Sequence, residues 1–442
     1  MPLFQSSQNP RVLRGGAVLT MNADNQCLDA ADIRIVGQKI DAIAPAGTLA
    51  QPGDDVIDCT NTLVIPGLVN THTHACAGMF RGLTEDLPRD YWRNAYGVPN
   101  QERFAQEDYL LSTRASCLEL LLNGVTCIAD RWGDMAAISP VIDASGMRAV
   151  VGHTLTDSMH PAEWSAVDGL IERWGTAASN RISVGLAPHA PDTCSDALLR
   201  ECADRAQALG CRVFIHLAQS GFEVAKLRDR GYDGVVACMQ QNGLANPQTV
   251  AAHCIYLSPE EMNSWGQHRM SIAHCPASNL KIEARTVPIH RLLGHAAIGL
   301  GTDWAASDNA MDMLAEARLA ALIGKHLADD PSALPVHTML RMATIEGARA
   351  LGLDGTIGSV EVGKHADLVV LDLEPLEANP RHDLAANLLY AMSTRCVRDV
   401  LVDGVLLVAA GKPVLEDLPQ LKRELARRQP VWQARHETAL LL

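Results

Sequence analysis

The middle of the chain alternates short apolar runs with longer amphipathic stretches. Eight runs read as strands: Thr62–Asn70, Val125–Ala129, Arg148–Gly152, Ile182–Ala187, Arg212–Ile215, Thr249–Ala252, Met270–Ala273 and Ala297–Gly301. Stretches of helical period lie between and after them, among them Tyr109–Leu122, Asp196–Leu209, Met311–His326 and Val336–Leu351. Glycine stops at Asn123–Gly124 and Leu209–Gly210 send two of these helices straight into the next strand. Strands separated by helices of this length predict parallel crossovers, and eight such units predict a (β/α)8 barrel. The two ends differ. Ala17–Met21 and Ile33–Ile43 near the start, and Leu368–Leu373 and Val400–Val408 near the end, are β-rich, with Asp403–Gly404 as a hairpin turn. The expected organisation is a barrel over 67–357 and a small β-sandwich built from 1–66 together with 358–442, which also carries a C-terminal helix.

The polar residues fall in phase with this pattern. Strand 1 is followed by His72 and His74, strand 2 by Asp130, strand 3 by His153 and strand 4 by His189. Strand 5 is followed by His216, strand 6 by His253, strand 7 by His274 and strand 8 by Asp303. The C-terminal ends of barrel strands are where barrel active sites form. In Thr71-His72-Thr73-His74, residues two apart on a strand point the same way, so both imidazoles can converge on the barrel axis. Asp303 follows an apolar strand, where a carboxylate is costly unless it meets a cation. Three imidazoles (His72, His74, His216) and Asp303 suit one divalent metal, Zn2+ first and Fe2+ second. Such a metal makes water a nucleophile near neutral pH.

Composition narrows the function classes. Hydrophobic residues make up 48% of the 442 and charged residues 20%, a globular profile, and the formal net charge is −14 with no basic patch. Nucleic acid is therefore not an expected partner. The polar Met1–Pro10 predicts no secretion signal, and no apolar run is long enough to predict a membrane span. The 12 cysteines contain no CxxC pair, which predicts reduced thiols and a cytoplasmic protein. Cys76, Cys254 and Cys275, beside motif histidines, read as small buried hydrophobes. A homodimer is the expected assembly.

Longer motifs carry a resemblance. They are Pro66-Gly67-Leu68-Val69-Asn70-Thr71-His72-Thr73-His74, Ala187-Pro188-His189-Ala190, His216, Ala252-His253-Cys254, His274-Cys275-Pro276-Ala277-Ser278-Asn279-Leu280-Lys281 and Gly301-Thr302-Asp303. The tail Gly358 to Val369 joins them. In this order they resemble the amidohydrolase superfamily, in its aminohydrolase and chlorohydrolase branch of adenosylhomocysteine deaminases, guanine deaminases and triazine hydrolases. The resemblance implies a mononuclear site, since no lysine follows strand 4. It also implies a catalytic His253 beside the metal and a proton-accepting Asp303.

One position departs from that pattern. The branch's deaminases carry His-x-x-Glu after strand 5, and here the sequence is His216-Leu217-Ala218-Gln219. An amide cannot titrate near neutral pH, so Gln219 holds the shuttle position without its proton. Glu223, one helical turn on, reads as a surface acid. The implied reaction is displacement of ammonia, amine or halide from a nitrogen heterocycle. Cleavage of an exocyclic amide, urea or carbamate bond is the alternative, and a silent binding protein is a third reading that the intact ligand set disfavours. Substrate contacts are assigned to His189, Asn279, Trp132 and Trp304, and to Phe80, Arg81, Leu83 and Trp92 in the loop after strand 1.

Overall fold

The apolar runs of the middle segment are buried at every position along their strands: Val213–Leu217, Thr249–His253 and Ser271–His274 each lie wholly inside. Burial on both faces is what a parallel sheet needs, with side chains filling one side and helices covering the other. The computed structural model describes residues 9–83, 85–86, 104–157 and 162–440. Its strands pair in parallel around a barrel: Leu68–Thr73, Val125–Trp132, Arg148–Leu155, a fourth strand in two pieces (Ile182–Val184 and Ala187–Pro188), Val213–Leu217, Thr249–His253, Ser271–His274 and Ile298–Leu300. We number these as barrel strands 1 to 8. A parallel bridge between Leu186 and Val213 closes the ring.

Three sequence expectations need correction. Thr62–Asn70 is not one strand. Thr62–Pro66 pairs antiparallel with Leu368–Asp372 in the terminal sheet, and only Leu68–Thr73 enters the barrel. The change of partner happens at Gly67, whose amide donates to Asp367 O at 2.8 Å while that of Leu68 donates to Gly124 O at 3.0 Å. Strand 4 breaks at Gly185, where a Cβ would lie 2.5 Å from the Phe214 ring and 2.9 Å from Arg212 O. The helix expected over Val336–Leu351 is two, Val336–Met342 and Ile345–Leu351, with Thr344 between them at φ −135.

Gly67 gives a stability prediction. A Cβ there would sit 2.0 Å from Thr126 Oγ1. Gly67→Ala is therefore expected to cost about 1–3 kcal/mol, the usual penalty of overpacking. Urea denaturation reads it as a lowered midpoint with an unchanged slope, and a wild-type midpoint would contradict it.

The terminal strands form a second, nine-stranded sheet that mixes both ends of the chain, with Arg11–Leu19 and Thr62–Pro66 next to Leu368–Asp372 and Val397–Val402. Its two arms share one apolar core, which includes Leu13, Ile33 and Ile40 from the start and Val360, Leu368 and Leu401 from the end. Arg148, at the start of barrel strand 3 and 0% exposed, pairs with Asp367 at 2.8 Å and with Asp403, while His365 Nδ1 contacts Asp403 at 2.6 Å. Breaking such a buried cluster would strand a charge, so it ties the barrel floor to this sheet. The C-terminal helix Leu418–Leu440 packs beside helix Gln106–Leu122, where the buried Asp108 carboxylate accepts from Arg428, Trp432 and Arg435. No helix among the described residues is long and apolar enough to cross a membrane.

Candidate active site

The opposite, C-terminal ends of the strands carry the histidines. His72 lies at the centre, its ring centroid 4.9 Å from that of His74, 5.0 Å from His216 and 5.2 Å from His253. His189 reaches the same group, 4.9 Å from His216. Three strand ends turn sharply here through left-handed backbone at non-glycine residues: Ala218 (φ 50), His253 (φ 74) and Asp303 (φ 57). Such conformations are costly and concentrate at functional sites.

Asp303 faces the cluster with one oxygen. Its Oδ1 lies 3.4 Å from His72 Nε2 and 3.3 Å from His74 Nε2. Its Oδ2 accepts from Ser278 Oγ at 2.6 Å, with Ser307 Oγ at 3.4 Å. The donor set passes a direct test for a cation. Ligands about 2.0–2.1 Å from a tetrahedral ion stand roughly 3.3–3.4 Å apart, which matches both separations. His72 Nε2 and His253 Nε2 are buried with no hydrogen-bond partner among the described residues, an arrangement that a dry polar site does not leave unfilled without cost. Two overlapping triads have ligand atoms within 4.8 Å of one another: His72, His74 and Asp303, and His72, His216 and His253.

Partners fix the rings. His74 Nδ1 meets the Arg131 carbonyl at 2.8 Å, so it donates and leaves a lone pair on Nε2. His253 Nδ1 meets Asn279 Oδ1 at 2.9 Å, with the same consequence. His189 Nδ1 contacts Thr193 Oγ1 at 2.8 Å. Burial favours the neutral form of five imidazoles: it pushes His72, His189 and His274 down to about 3, and His216 and His253 below the usual histidine range. Burial alone would raise Asp303, but the His72 and His74 imidazoles facing it hold its carboxyl well below the usual range.

The proposed pocket residues divide. Trp132 and Phe80 are buried near the site, Trp132 with its ring 5.6 Å from that of His74 and Phe80 5.7 Å from Trp304. Leu83 packs on the main core. Arg81 does not turn toward the histidines: it pairs with Glu119 at 2.6 Å on helix Gln106–Leu122. Asn279 is occupied with His253. Trp92 lies outside the described residues.

Two acids behave differently from the sequence reading. Glu223 is not on the surface. It is 3% exposed, and its carboxylate accepts from the amides of Ala218 at 2.7 Å and Gln219 at 2.8 Å. Burial, with Asp192 nearby, pushes it up to about 8. It braces the turn that carries Gln219, whose own side chain is half-buried. Asp130 points away from the barrel axis, accepting from the Ala75 amide at 3.3 Å. Arg131, one residue later, occupies the interior and reaches across to Phe214 O on strand 5. Strand alternation puts one of these two neighbours inside, and the sequence pattern does not say which. Ser278 and Ser307 were also missed; Ser278 stands within a motif segment and Ser307 four residues beyond another, but a serine carries no signal until the fold brings it to Oδ2.

Residues 63–407 match the amidohydrolase family. The chain is 35% identical over 401 residues to the 5-methylthioadenosine/S-adenosylhomocysteine deaminase of Moorella thermoacetica, covering 90% of this chain and 94% of that one. Among solved structures, a zinc-bound adenosine deaminase from Xanthomonas campestris superposes with a TM-score of 0.89 at 30% identity, covering 97% of this chain and 98% of that one. The zinc-complexed atrazine chlorohydrolase of Arthrobacter aurescens superposes with a TM-score of 0.86 at 25% identity, covering 95% and 100%.

Proposed function

The chain belongs to the amidohydrolase family, in its aminohydrolase and chlorohydrolase branch, and we propose that it displaces ammonia, amine or halide from a purine-, pterin- or triazine-like ring. The observation that supports this reading is the histidine–aspartate cluster at the strand ends, complete except for a titratable group at Gln219. His72, His74, His216 and Asp303 would hold one divalent cation, zinc before iron. The cation supplies Lewis acidity and makes water a nucleophile near neutral pH.

The protein's own residues then divide the work. Asp303, ionised and anchored at Oδ2 by Ser278, takes the proton of the attacking water. His253 presents its Nε2 lone pair, because Nδ1 is committed to Asn279; it can take up a proton released by the attacking water and return it to the group that gathers negative charge. Trp132 and His189 flank the ring under attack. In this reading the barrel over 67–357 does the chemistry, and 1–66 with 358–442 braces its floor.

Gln219 decides which leaving groups depart easily. An amine needs a proton to leave, and an amide side chain has none to give, whereas a halide leaves unaided. Mass spectrometry of the metal-loaded protein with aminopurines, pterins, amino- and chlorotriazines, ureas and thiocarbamates tests the reading. Loss of ammonia, amine or chloride from a ring is expected, and cleavage of only the acyclic compounds would overturn it. Gln219→Glu is expected to raise ammonia release by about 10²-fold, the lower end for a positioned acid–base group, and to leave chloride release nearly unchanged. Equal effects on both would show that position 219 is not the shuttle.

A further inference from the structure

Helix Pro276–Glu283 carries two of the side chains that fix the site: Ser278 donates to Asp303 Oδ2 at 2.6 Å, and Asn279 meets His253 Nδ1 at 2.9 Å. Its first turn needs an outside acceptor, because the leading amides of a helix have no partner within it. Pro276 has no N–H, so Ala277 is the first amide to be satisfied. Glu316, on helix Met313–Ala328, takes it: its Oε2 accepts from the Ala277 amide at 3.2 Å. Glu316 is 1% exposed, and its carboxyl is hydrogen-bonded to that of Asp308. Asp308 lies five residues after Asp303. Its amide donates to Trp304 O at 3.1 Å and its carboxylate accepts from the Met311 amide. It thereby closes the turn that brings Ser307 Oγ to Asp303 Oδ2 at 3.4 Å. Lys281, further along helix Pro276–Glu283, reaches Ala306 O on the same turn at 3.0 Å.

Two buried carboxyls in hydrogen-bond contact do not both ionise, so one proton lies between them. Burial and the Asp308 carboxylate beside it hold Glu316 well above its usual range. Burial raises Asp308 too, while the hydrogen bond from Glu316, the Met311 amide and Arg81 draw it back down. Glu316 is therefore the acid of the pair. It donates to Asp308 through one oxygen and accepts from Ala277 through the other. Two further charges face the pair. Asp312 disfavours a second negative charge there, and Arg81, itself paired with Glu119 at 2.6 Å, favours the one on Asp308. The burial that raises the acids also holds the nearby Cys275 thiol well above its usual range. The pair thus joins two segments that each offer a hydroxyl to the same oxygen of Asp303. We propose that Glu316 and Asp308, with one proton held between them, form a positioning pair that keeps Asp303 and His253 in their working orientations. They act through the Ala277 amide and the turn after strand 8, where a fully satisfied buried network is rigid. The inference rests on the roles given above to Asp303 and His253 and says what holds them in place.

Proton NMR of the imidazole N–H region reads His253 directly and needs no substrate. Its Nδ1–H, held by Asn279, is identified by its absence from His253→Ala. Glu316→Leu removes both the proton and the acceptor at similar volume, and is expected to lose this signal to exchange with water. For the best substrate of the panel its kcat is expected to fall by about 10–100-fold, the usual cost of removing a group that orients a ligand, with KM near wild type. Glu316→Gln has the shape of the protonated acid and can both accept from Ala277 and donate to Asp308. It is expected to keep the signal and the kcat of wild type. A folded Glu316→Leu protein that keeps the His253 signal would overturn the proposal. So would a Glu316→Gln protein no better than Glu316→Leu, or a wild-type protein with no protected His253 N–H. Should Glu316→Leu fail to fold by circular dichroism, Asp308→Ala at its half-buried position decides by the same two readouts. Both are expected to weaken, and unchanged values would overturn the proposal. If no compound of the panel is turned over, the heterocycle reading fails and the NMR signal alone decides the positioning role.

Discussion

Replacing Asp303 with asparagine is expected to lower kcat/KM by about 10³-fold or more, within the range for loss of a positioned general base, and to strip most of the metal. The variant is close to isosteric, so the effect reads charge and not volume. One oxygen of Asp303 faces His72 and His74 at 3.4 and 3.3 Å, and the other accepts from Ser278 at 2.6 Å. An asparagine that keeps its oxygen on Ser278 turns toward the two imidazoles an amide NH2, which has no lone pair to offer a cation. One that keeps its oxygen on the imidazoles turns two N–H groups toward Ser278, whose hydroxyl must then reverse its role. Neither orientation supplies the negative charge that offsets a buried cation, nor a group able to take a proton from water. Atomic emission spectrometry of the purified variant measures the first loss, and turnover of the best substrate from the panel measures the second. An asparagine variant with full metal content and activity within tenfold of wild type would remove Asp303 from the mechanism.

How much of this was legible in the sequence depends on the kind of signal. The barrel was, because each strand is a short run of apolar residues and each closes on a polar one, and period and phase are properties of sequence alone. The histidines were for the same reason: His72 and His74 share a face by the two-residue period of a strand. What failed were choices between neighbours. Asp130 and Arg131 are adjacent, and which faces inward depends on the register of strand 2, where Thr73 pairs with Asp130 across a register shift. Glu223 was misplaced because its partners are the backbone amides of Ala218 and Gln219, and any residue type supplies an amide. Thr62–Asn70 was misread as one strand because both halves are apolar, and the change of partner sits in a glycine that the pattern passes over. Arg81 was assigned to the pocket from its place in a loop, but Glu119 on the following helix captures it.

His253 is the residue whose role the geometry leaves between ligand and catalyst, and its replacement by alanine discriminates. His253 shares a triad of possible ligand atoms with His72 and His216, so a cation held there would depend on it. Yet its main-chain φ of 74 places it at the sharp end of strand 6, and Asn279 directs its free lone pair inward, as suits a group that takes and returns a proton. With His72, His74, His216 and Asp303 already offering four donors, a cation held there would not need His253 as well. His253→Ala is therefore expected to keep its metal, one ion per chain, while kcat falls by about 10²–10⁴-fold, the usual range for losing general acid–base catalysis. Asn279→Ala should show a smaller loss of the same kind, since the ring stays but is no longer held in one tautomer. Metal content falling in parallel with activity in His253→Ala would move His253 into the ligand set. The water position would then have to be rebuilt around the triad of His72, His216 and His253, with His74 oriented by Arg131 and free to move protons.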